Sequence, residues 1–149
     1  MYFEEFRLGM FVETEPVLIE EEKMLAFARE YDWLPIHTDP AYAEKTHFGK
    51  LIAPGVFTYM AVWTKYLKVD MVGDALLVGK STKMEWLKPV YAGDVLTGKM
   101  TVTKLTRRSE RNGIVETGTE IRNQDGELVL TAVTEAVVKC REMQKGETV

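Results

Sequence analysis

PGVFTYMAVWTKYL, at residues 54–67, has the pattern of a helix that is apolar over most of its surface. Pro54 suits a first helical turn, where its missing N–H would have no partner. The charged residues Lys65 and Lys68 come only near the end of the segment. Because a helix with so little polar surface must be covered by other parts of the fold, we expect residues 54–67 to form a central, wrapped helix.

The C-terminal half of the chain is expected to provide the cover. Segments rich in Val, Leu, Ile and Thr, which are typical of strands, lie near residues 76–87, 95–106, 113–122 and 127–138. The dipeptides Asn112-Gly113 and Asp125-Gly126 separate the later segments and suit the positive φ of hairpin turns. We therefore predict that the last three strands form an antiparallel meander. One helix packed against one curled antiparallel sheet is an α+β architecture.

Shorter elements are predicted ahead of the central helix. Residues 14–19 have the pattern of a short strand, and Pro16 confines it to a sheet edge because proline cannot donate to a ladder. A run of glutamates at Glu20 opens a helix that continues to Tyr31, since negative charge suits its first N–H groups. Residues 32–53 contain two prolines, a glycine and both histidines, and have no sustained period. We expect a long ordered loop with short helical turns, and such loops are often functional.

Composition restricts the class of protein. A chain of 149 residues suits one domain, spanning residues 1–149, and 46% hydrophobic with 28% charged residues is typical of a globular protein. The net charge of −4 argues against a nucleic-acid binder, which needs basic residues to neutralise phosphates. The single cysteine, Cys140, is interpreted as structural and favours a reducing, cytoplasmic compartment. The acidic residues near the N-terminus are unlike a signal peptide, and no apolar run is long enough to span a membrane.

A distinctive motif lies in the predicted loop. It reads Asp32-Trp33-Leu34-Pro35-Ile36-His37, followed by Phe48-Gly49 and by Ile52-Ala53-Pro54-Gly55. The motif resembles the MaoC-like dehydratase family, which includes (R)-specific enoyl-CoA hydratases and has the signature Asp-x-Asn-Pro-aliphatic-His. The resemblance extends to Phe6-Arg7-Leu8-Gly9 and to Pro89-Val90-Tyr91-Ala92-Gly93-Asp94. It implies a hotdog fold, in which an antiparallel sheet wraps a long central helix, and an enzyme of fatty acid metabolism.

The resemblance also implies a reaction, the hydration of an enoyl thioester or the dehydration of a 3-hydroxyacyl thioester. Asp32 and His37 would both touch one catalytic water, because a carboxylate and an imidazole can exchange the protons that hydration moves. Which of the two acts as the base stays open. Gly55 would donate its backbone N–H to the thioester oxygen, at a helix start where N–H groups are unpaired. The expected substrate-binding residues are Trp33, Leu34, Phe48, Pro54 and Val56, and no metal or other cofactor is expected.

One position departs from the signature. Leu34 stands where the family has Asn, and its apolar side chain is expected to make the surroundings of Asp32 drier. Three interpretations remain open: reduced activity, a polar group supplied from elsewhere in the fold, or a site kept only for binding.

Other residues have simpler interpretations beside their functional ones. Asp32 can be a helix cap and His37 a hydrogen-bonded loop residue. His47 could join Asp39 and the dyad in a metal site, but the spacing matches no ordinary ligand set. Trp33 and Trp86 are candidates for an acyl or pantetheine tunnel, whereas core packing accounts for Trp63 and a helix-backbone hydrogen bond for Thr64. A basic group suits either solvent or CoA phosphates: Lys104, Arg107, Arg108 and Arg111.

Two other functions compete with the hydratase. A hotdog thioesterase would be expected to carry an acidic residue on or near the central helix, and residues 55–68 contain none. A non-catalytic acyl-CoA-binding protein would fit the loss of the Asn. The expected partners are an acyl-CoA or acyl carrier protein thioester and a second copy of the chain, because a short sheet leaves open edges.

Overall fold

The computed structural model describes residues 1–142, so residues 143–149 of the predicted domain lie outside the described part. The helices and strands are, in chain order, β1 (Phe11–Glu13), β2 (Val17–Leu18), α1 (Glu21–Tyr31), α2 (Pro35–Thr38), α3 (Pro40–Glu44), α4 (Gly55–Leu67), β3 (Leu76–Trp86), β4 (Val95–Arg107), β5 (Asn112–Arg122) and β6 (Leu128–Lys139). Single turns of 3-10 helix lie at Phe3–Glu5 and Gly73–Ala75.

The strands form one antiparallel sheet in the order β1-β4-β5-β6-β3, and β2 pairs with β4. The predicted meander of the last three strands is confirmed. Buried side chains between α4 and the sheet, such as Val62, Met100 and Ile121, form the main core. The predicted α+β architecture, an antiparallel sheet curled around a long helix, is therefore confirmed.

The two predicted hairpin turns have different outcomes. Gly126 has a φ of 73° between β5 and β6, so the Asp125-Gly126 turn is confirmed. The Asn112-Gly113 turn is wrong, because both residues are already in β5 and the chain reverses just before them. An added Cβ at Gly113 would lie 2.4 Å from the ring of Phe3. Glycine is needed there for space and not for a turn.

The long segment between α1 and α4 is ordered as predicted, with short helices. α2 and α3 each have a proline in the first turn, where no N–H is needed. The Asp39 carboxylate accepts hydrogen bonds from the backbone N–H groups of Ala41 and Tyr42, at 3.1 and 3.2 Å. This cap fixes the start of α3.

The central helix is wrapped on one side only. Thr58, Tyr59 and Val62 are buried against the sheet. Val56 and Met60 remain 44% and 45% exposed on the opposite side. The expectation of a fully covered helix is thus only partly met within one copy of the chain.

The N-terminal strands are shorter than the sequence predicted. The strand expected at residues 14–19 is reduced to β2, and it does lie at the sheet edge. Strand β1 was not predicted, since a strand of three residues is too short to show a period. Among residues 1–142, no helix is long and apolar enough to cross a membrane.

Candidate active site

Two short elements place Asp32 and His37 side by side. Asp32 ends α1, and its backbone N–H donates to the carbonyl of Ala28 at 2.9 Å, which leaves the side chain free. His37 lies in α2 and is only 5% exposed. The Nε2 atom of His37 lies 3.4 Å from Oδ2 of Asp32. Asp32 therefore both ends α1 and lies beside the imidazole of His37.

The backbone fixes the orientation of the imidazole. Nδ1 of His37 lies 2.8 Å from the carbonyl oxygen of Ile52. Because a carbonyl oxygen only accepts, Nδ1 must carry the hydrogen, and in the neutral ring Nε2 then carries a lone pair. That lone pair and the Asp32 carboxylate are both acceptors, so a proton or a donor molecule between them is favourable.

A cavity of about 440 Å³ opens at this dyad. Its wall combines parts of the long loop, the start of α4, the end of β3 and the start of β6. The lining residues are Asp32, His37, Phe48, Ile52, Ala53, Gly55, Val56, Thr58, Trp86, Leu87, Lys88, Pro89, Val90 and Val129. Most of this wall is apolar, and the dyad is its main polar feature, as in sites for small organic substrates.

Five of the eight predicted site residues line the cavity, namely Asp32, His37, Gly55, Phe48 and Val56. The other three do not. Trp33 and Leu34 are 76% and 56% exposed outside the cavity wall. Pro54 is buried behind the wall, where its carbonyl accepts from the backbone N–H of Thr58 at 3.1 Å.

The exposure of Leu34 bears on the prediction that this residue makes the surroundings of Asp32 drier. Leu34 is more than half exposed and is not among the residues that line the cavity. Asp32 itself keeps 37% of its side chain accessible. A drier carboxylate at Asp32 stays a prediction, and the Leu34→Asn variant tests it.

One continuous part of the cavity wall, residues 86–90, was not predicted as a whole from the sequence. Trp86 was a tunnel candidate, but the four residues after it were not. Their signal was the Pro89-Val90 dipeptide, which comes directly after a predicted strand. The Lys88 ammonium at this wall is ion-paired with Glu127.

Residue 55 is at the start of α4, and steric contact with Trp86 requires it to be glycine. It is the first residue of the helix, so its N–H has no acceptor within the helix. An ideal Cβ at Gly55 would stand 2.0 Å from the indole Nε1 of Trp86. Any side chain at residue 55 would therefore collide with the indole.

The other candidate sites are not assembled in the described part of the chain. Residues 1–142 contain no group of three His, Cys, Asp or Glu side chains that could hold a metal ion. His47 packs beside Phe48 with a ring distance of 4.0 Å, and Asp39 caps α3. Thr64 is exposed, and Trp63 packs with Tyr59 and Tyr66.

The basic group lies at the far end of the sheet. Arg107 pairs with Gly113 in the ladder, whereas Trp86, at the cavity, pairs with Leu130 at the opposite end of β6. Gly113 pairs with Val138 of β6, which is eight residues from Leu130, or about 27 Å along the strand. Arg107 also contacts Glu4 at 3.2 Å. Contact between this group and CoA phosphates in the cavity of the same copy is not supported.

Comparisons with known proteins identify the class. The structure is similar to solved hotdog-type proteins over nearly its whole length, which confirms the hotdog fold. The family model described as MaoC like domain matches residues 5–124. The chain belongs to this family of MaoC-like dehydratases.

Individual relatives agree with this assignment. A monoamine oxidase regulatory protein from Archaeoglobus fulgidus has a TM-score of 0.90 and 31% identity, covering 95% of this chain and 96% of that one. A MaoC-like dehydratase from Rhodospirillum rubrum has a TM-score of 0.82 and 28% identity, covering 96% and 99%. An (R)-specific enoyl-CoA hydratase from Aeromonas caviae is 33% identical over 109 residues, 72% of this chain and 75% of that protein.

Proposed function

We propose that the protein adds water to an enoyl thioester or removes it from a (3R)-hydroxyacyl thioester, with CoA or acyl carrier protein as the carrier. The observation that carries the proposal is the approach of His37 Nε2 to Asp32 Oδ2, at 3.4 Å on the wall of an apolar cavity. Membership in the MaoC-like family supports the reaction class.

The dyad has the groups that hydration needs. A water molecule between Asp32 and His37 donates one hydrogen to each of two acceptors, which directs its oxygen lone pairs towards the cavity. As that oxygen bonds to the β-carbon, one of the two groups takes the proton. The same proton is then delivered to the α-carbon, so that H and OH are added across the double bond. Dehydration is the reverse.

The start of α4 has the group that the intermediate needs. Negative charge develops on the thioester oxygen when the β-carbon is attacked. Gly55 lines the same cavity, and it is the first residue of α4, where the N–H has no acceptor in the helix and the helix dipole is positive. A donor held in place before the reaction stabilises this charge without reorganising.

Hydration is distinguished from the competing functions by one assay on crotonyl-CoA. Loss of the conjugated ultraviolet band without release of free thiol indicates hydration, and release of thiol indicates a thioesterase. Binding without either change indicates an acyl-CoA-binding protein. The only carboxylate among the cavity residues is Asp32, already beside His37, which favours hydration over hydrolysis by a separate acid.

The dimer is part of the same proposal. β3 is an edge strand of 11 residues, and all but one of its residues are exposed. Long, unpaired edge strands with apolar side chains are rarely left open in natural proteins. Pairing of β3 with β3 of a second copy would close the sheet and cover the open side of α4.

A further inference from the structure

The indole of Trp86 lies at the position that a side chain on residue 55 would occupy. The atom of the ring nearest to that position is Nε1, at 2.0 Å, followed by Cε2 at 2.3 Å and Cδ1 at 2.5 Å. A point along the N–H bond would lie about 3 Å from both carbons, so these distances place that position above the ring plane at Nε1. The pyrrole face of the indole therefore lies over Gly55, and its N–H is roughly perpendicular to the direction of Gly55. We infer that Trp86 is a catalytic residue whose indole N–H donates to the thioester carbonyl oxygen together with the N–H of Gly55. The inference rests on the proposed function.

The spacing of the two donors suits one shared oxygen. Standard bond lengths place an ideal Cβ about 2.5 Å from the backbone nitrogen of its own residue, so Nε1 of Trp86 lies within about 4.5 Å of the Gly55 nitrogen. Two donors that each lie about 2.9 Å from one acceptor oxygen can be separated by up to about 5.8 Å. One carbonyl oxygen can therefore lie within hydrogen-bond distance of both nitrogens.

Both donors are free to accept a ligand. Within residues 1–142, neither the indole N–H of Trp86 nor the backbone N–H of Gly55 has a hydrogen-bond acceptor in the protein. An indole N–H can only donate, as can a backbone N–H. Two unpaired donors on the wall of one apolar cavity favour an incoming oxygen with negative charge.

The sheet holds the indole in place. Trp86 is the last residue of β3 and pairs with Leu130 of β6. The next residue, Leu87, donates its N–H to the carbonyl of Val129 at 2.9 Å. A donor on a hydrogen-bonded strand end is oriented before the substrate arrives, which is the property that makes such donors effective in catalysis.

The test uses Trp86→Phe, which keeps an aromatic ring and removes the N–H. Trp63→Phe is the matched control, because Trp63 is an aromatic side chain of α4 that packs with Tyr59 and Tyr66 away from the cavity. We expect Trp86→Phe to lower kcat/KM for crotonyl-CoA at least about tenfold, mainly through kcat, and Trp63→Phe to leave it within about twofold. Equal values for wild type and Trp86→Phe would overturn the inference.

A second measurement does not depend on turnover. Crotonyl-CoA with ¹³C at the carbonyl is bound to Asp32→Asn protein, and the carbonyl stretch is recorded by difference infrared spectroscopy. Hydrogen bonds to the oxygen lower its wavenumber, so we expect part of this shift to be lost in Asp32→Asn/Trp86→Phe and kept in Asp32→Asn/Trp63→Phe.

The outcomes separate the inference from the proposed function. An unchanged carbonyl band with and without the indole overturns the role of Trp86, even if wild-type protein hydrates crotonyl-CoA. Failure of wild-type protein to hydrate crotonyl-CoA, with a Trp86-dependent band, overturns the proposed reaction but keeps the donor. If no acyl thioester binds, both are wrong.

Discussion

At the scale of single residues, His37 shows how a small number of contacts fixes a reactive group. Its Nδ1 is held by the Ile52 carbonyl at 2.8 Å, and its Nε2 faces Asp32 at 3.4 Å. The ring is buried, so these protein contacts, and not solvent, determine its tautomer and its orientation. Burial without this pair of contacts would make a histidine only a core residue.

Removal of either member of the dyad tests the assignment directly. We expect Asp32→Asn and His37→Ala each to lower turnover of crotonyl-CoA by about a hundredfold or more, because each removes a group that exchanges the reacting proton. The circular dichroism spectrum should stay that of the folded protein. His47→Ala is the matched control, since His47 is exposed and outside the cavity wall. Near-wild-type turnover in either dyad variant would remove that residue from the mechanism.

Leu34→Asn restores the residue of the family signature. If Leu34 only reduces activity, the variant should raise kcat/KM on every enoyl-CoA in a panel of linear, branched and carboxylated substrates. If Leu34 is an adaptation, the variant should improve simple substrates and impair the natural one. We expect the second result, because the rest of the motif is intact. A variant that is better on all substrates would contradict adaptation.

Gly55→Ala tests the contact between α4 and the end of β3. The added methyl group would collide with the Trp86 indole, so we expect a loss of about 1–3 kcal/mol of stability and at least a tenfold loss of kcat/KM. Gly79→Ala, where an added Cβ meets nothing within 4 Å, should change neither. Partial recovery of stability in Gly55→Ala/Trp86→Leu would identify the indole as the cause, and no recovery would argue against it. Thermal unfolding and the crotonyl-CoA assay supply both measurements.

At the scale of secondary structure elements, β3 and α4 leave surface that one copy of the chain does not cover. Val78 of β3 and Leu67 of α4 are 57% and 54% exposed. The opposite edge of the sheet is formed by the short strands β1 and β2. Several exposed apolar side chains therefore lie on the two elements that a second copy is proposed to cover: Val56, Met60, Leu67, Leu76, Leu77 and Val78.

We expect the protein to be a dimer of 17.0 kDa chains in light scattering. Val78→Asp should produce monomers, because it places a charge on the edge strand that is proposed to pair. Leu8→Asp is the matched control: Leu8 is 66% exposed but lies before β1, far from β3 along the sheet. Wild-type protein that is monomeric and fully active would refute the dimer.

At the scale of the whole molecule, one sheet contributes to two clusters of buried side chains. The larger lies between α4 and the sheet. The smaller joins the N-terminal segment to the far end of the sheet and contains Phe3, Phe6, Ala75, Val102, Val115, Val138 and Cys140. Because β4, β5 and β6 contribute to both clusters, we expect the two to unfold together as one domain.

Cys140 reports on this cooperativity. Its thiol is 5% exposed, and burial raises its pKa, with the neighbouring Glu4 carboxylate adding to the effect. We expect Ellman's reagent to label the native protein slowly at pH 8, since the thiolate is the reactive form. In denaturant, labelling should rise at the same midpoint as the loss of tryptophan fluorescence. Labelling at a clearly lower midpoint would show that the smaller cluster opens by itself. Cys140→Ala supplies the blank, because the chain has one cysteine.

Much of the architecture was determined by the sequence alone. The apolar helix ends at Leu67 as predicted and starts one residue after Pro54, because local periodicity and a proline signal are properties of the segment itself. The Asp125-Gly126 turn and the short helices of the long loop have the same local origin. The motif from Asp32 to His37 also identified the family, and both of its reactive side chains reach the cavity.

Other features were decided only by the tertiary structure. Gly113 looked like a turn residue, but the ring of Phe3 packs on it from more than a hundred positions away. Leu34 lies within the motif, yet it is exposed and outside the cavity wall, whereas Trp86 comes from a distant strand to lie against Gly55. The physical reason is the same in each case. Sequence patterns report the period and the turns of one segment, but contacts between segments depend on how the sheet curls and where the helix packs on it.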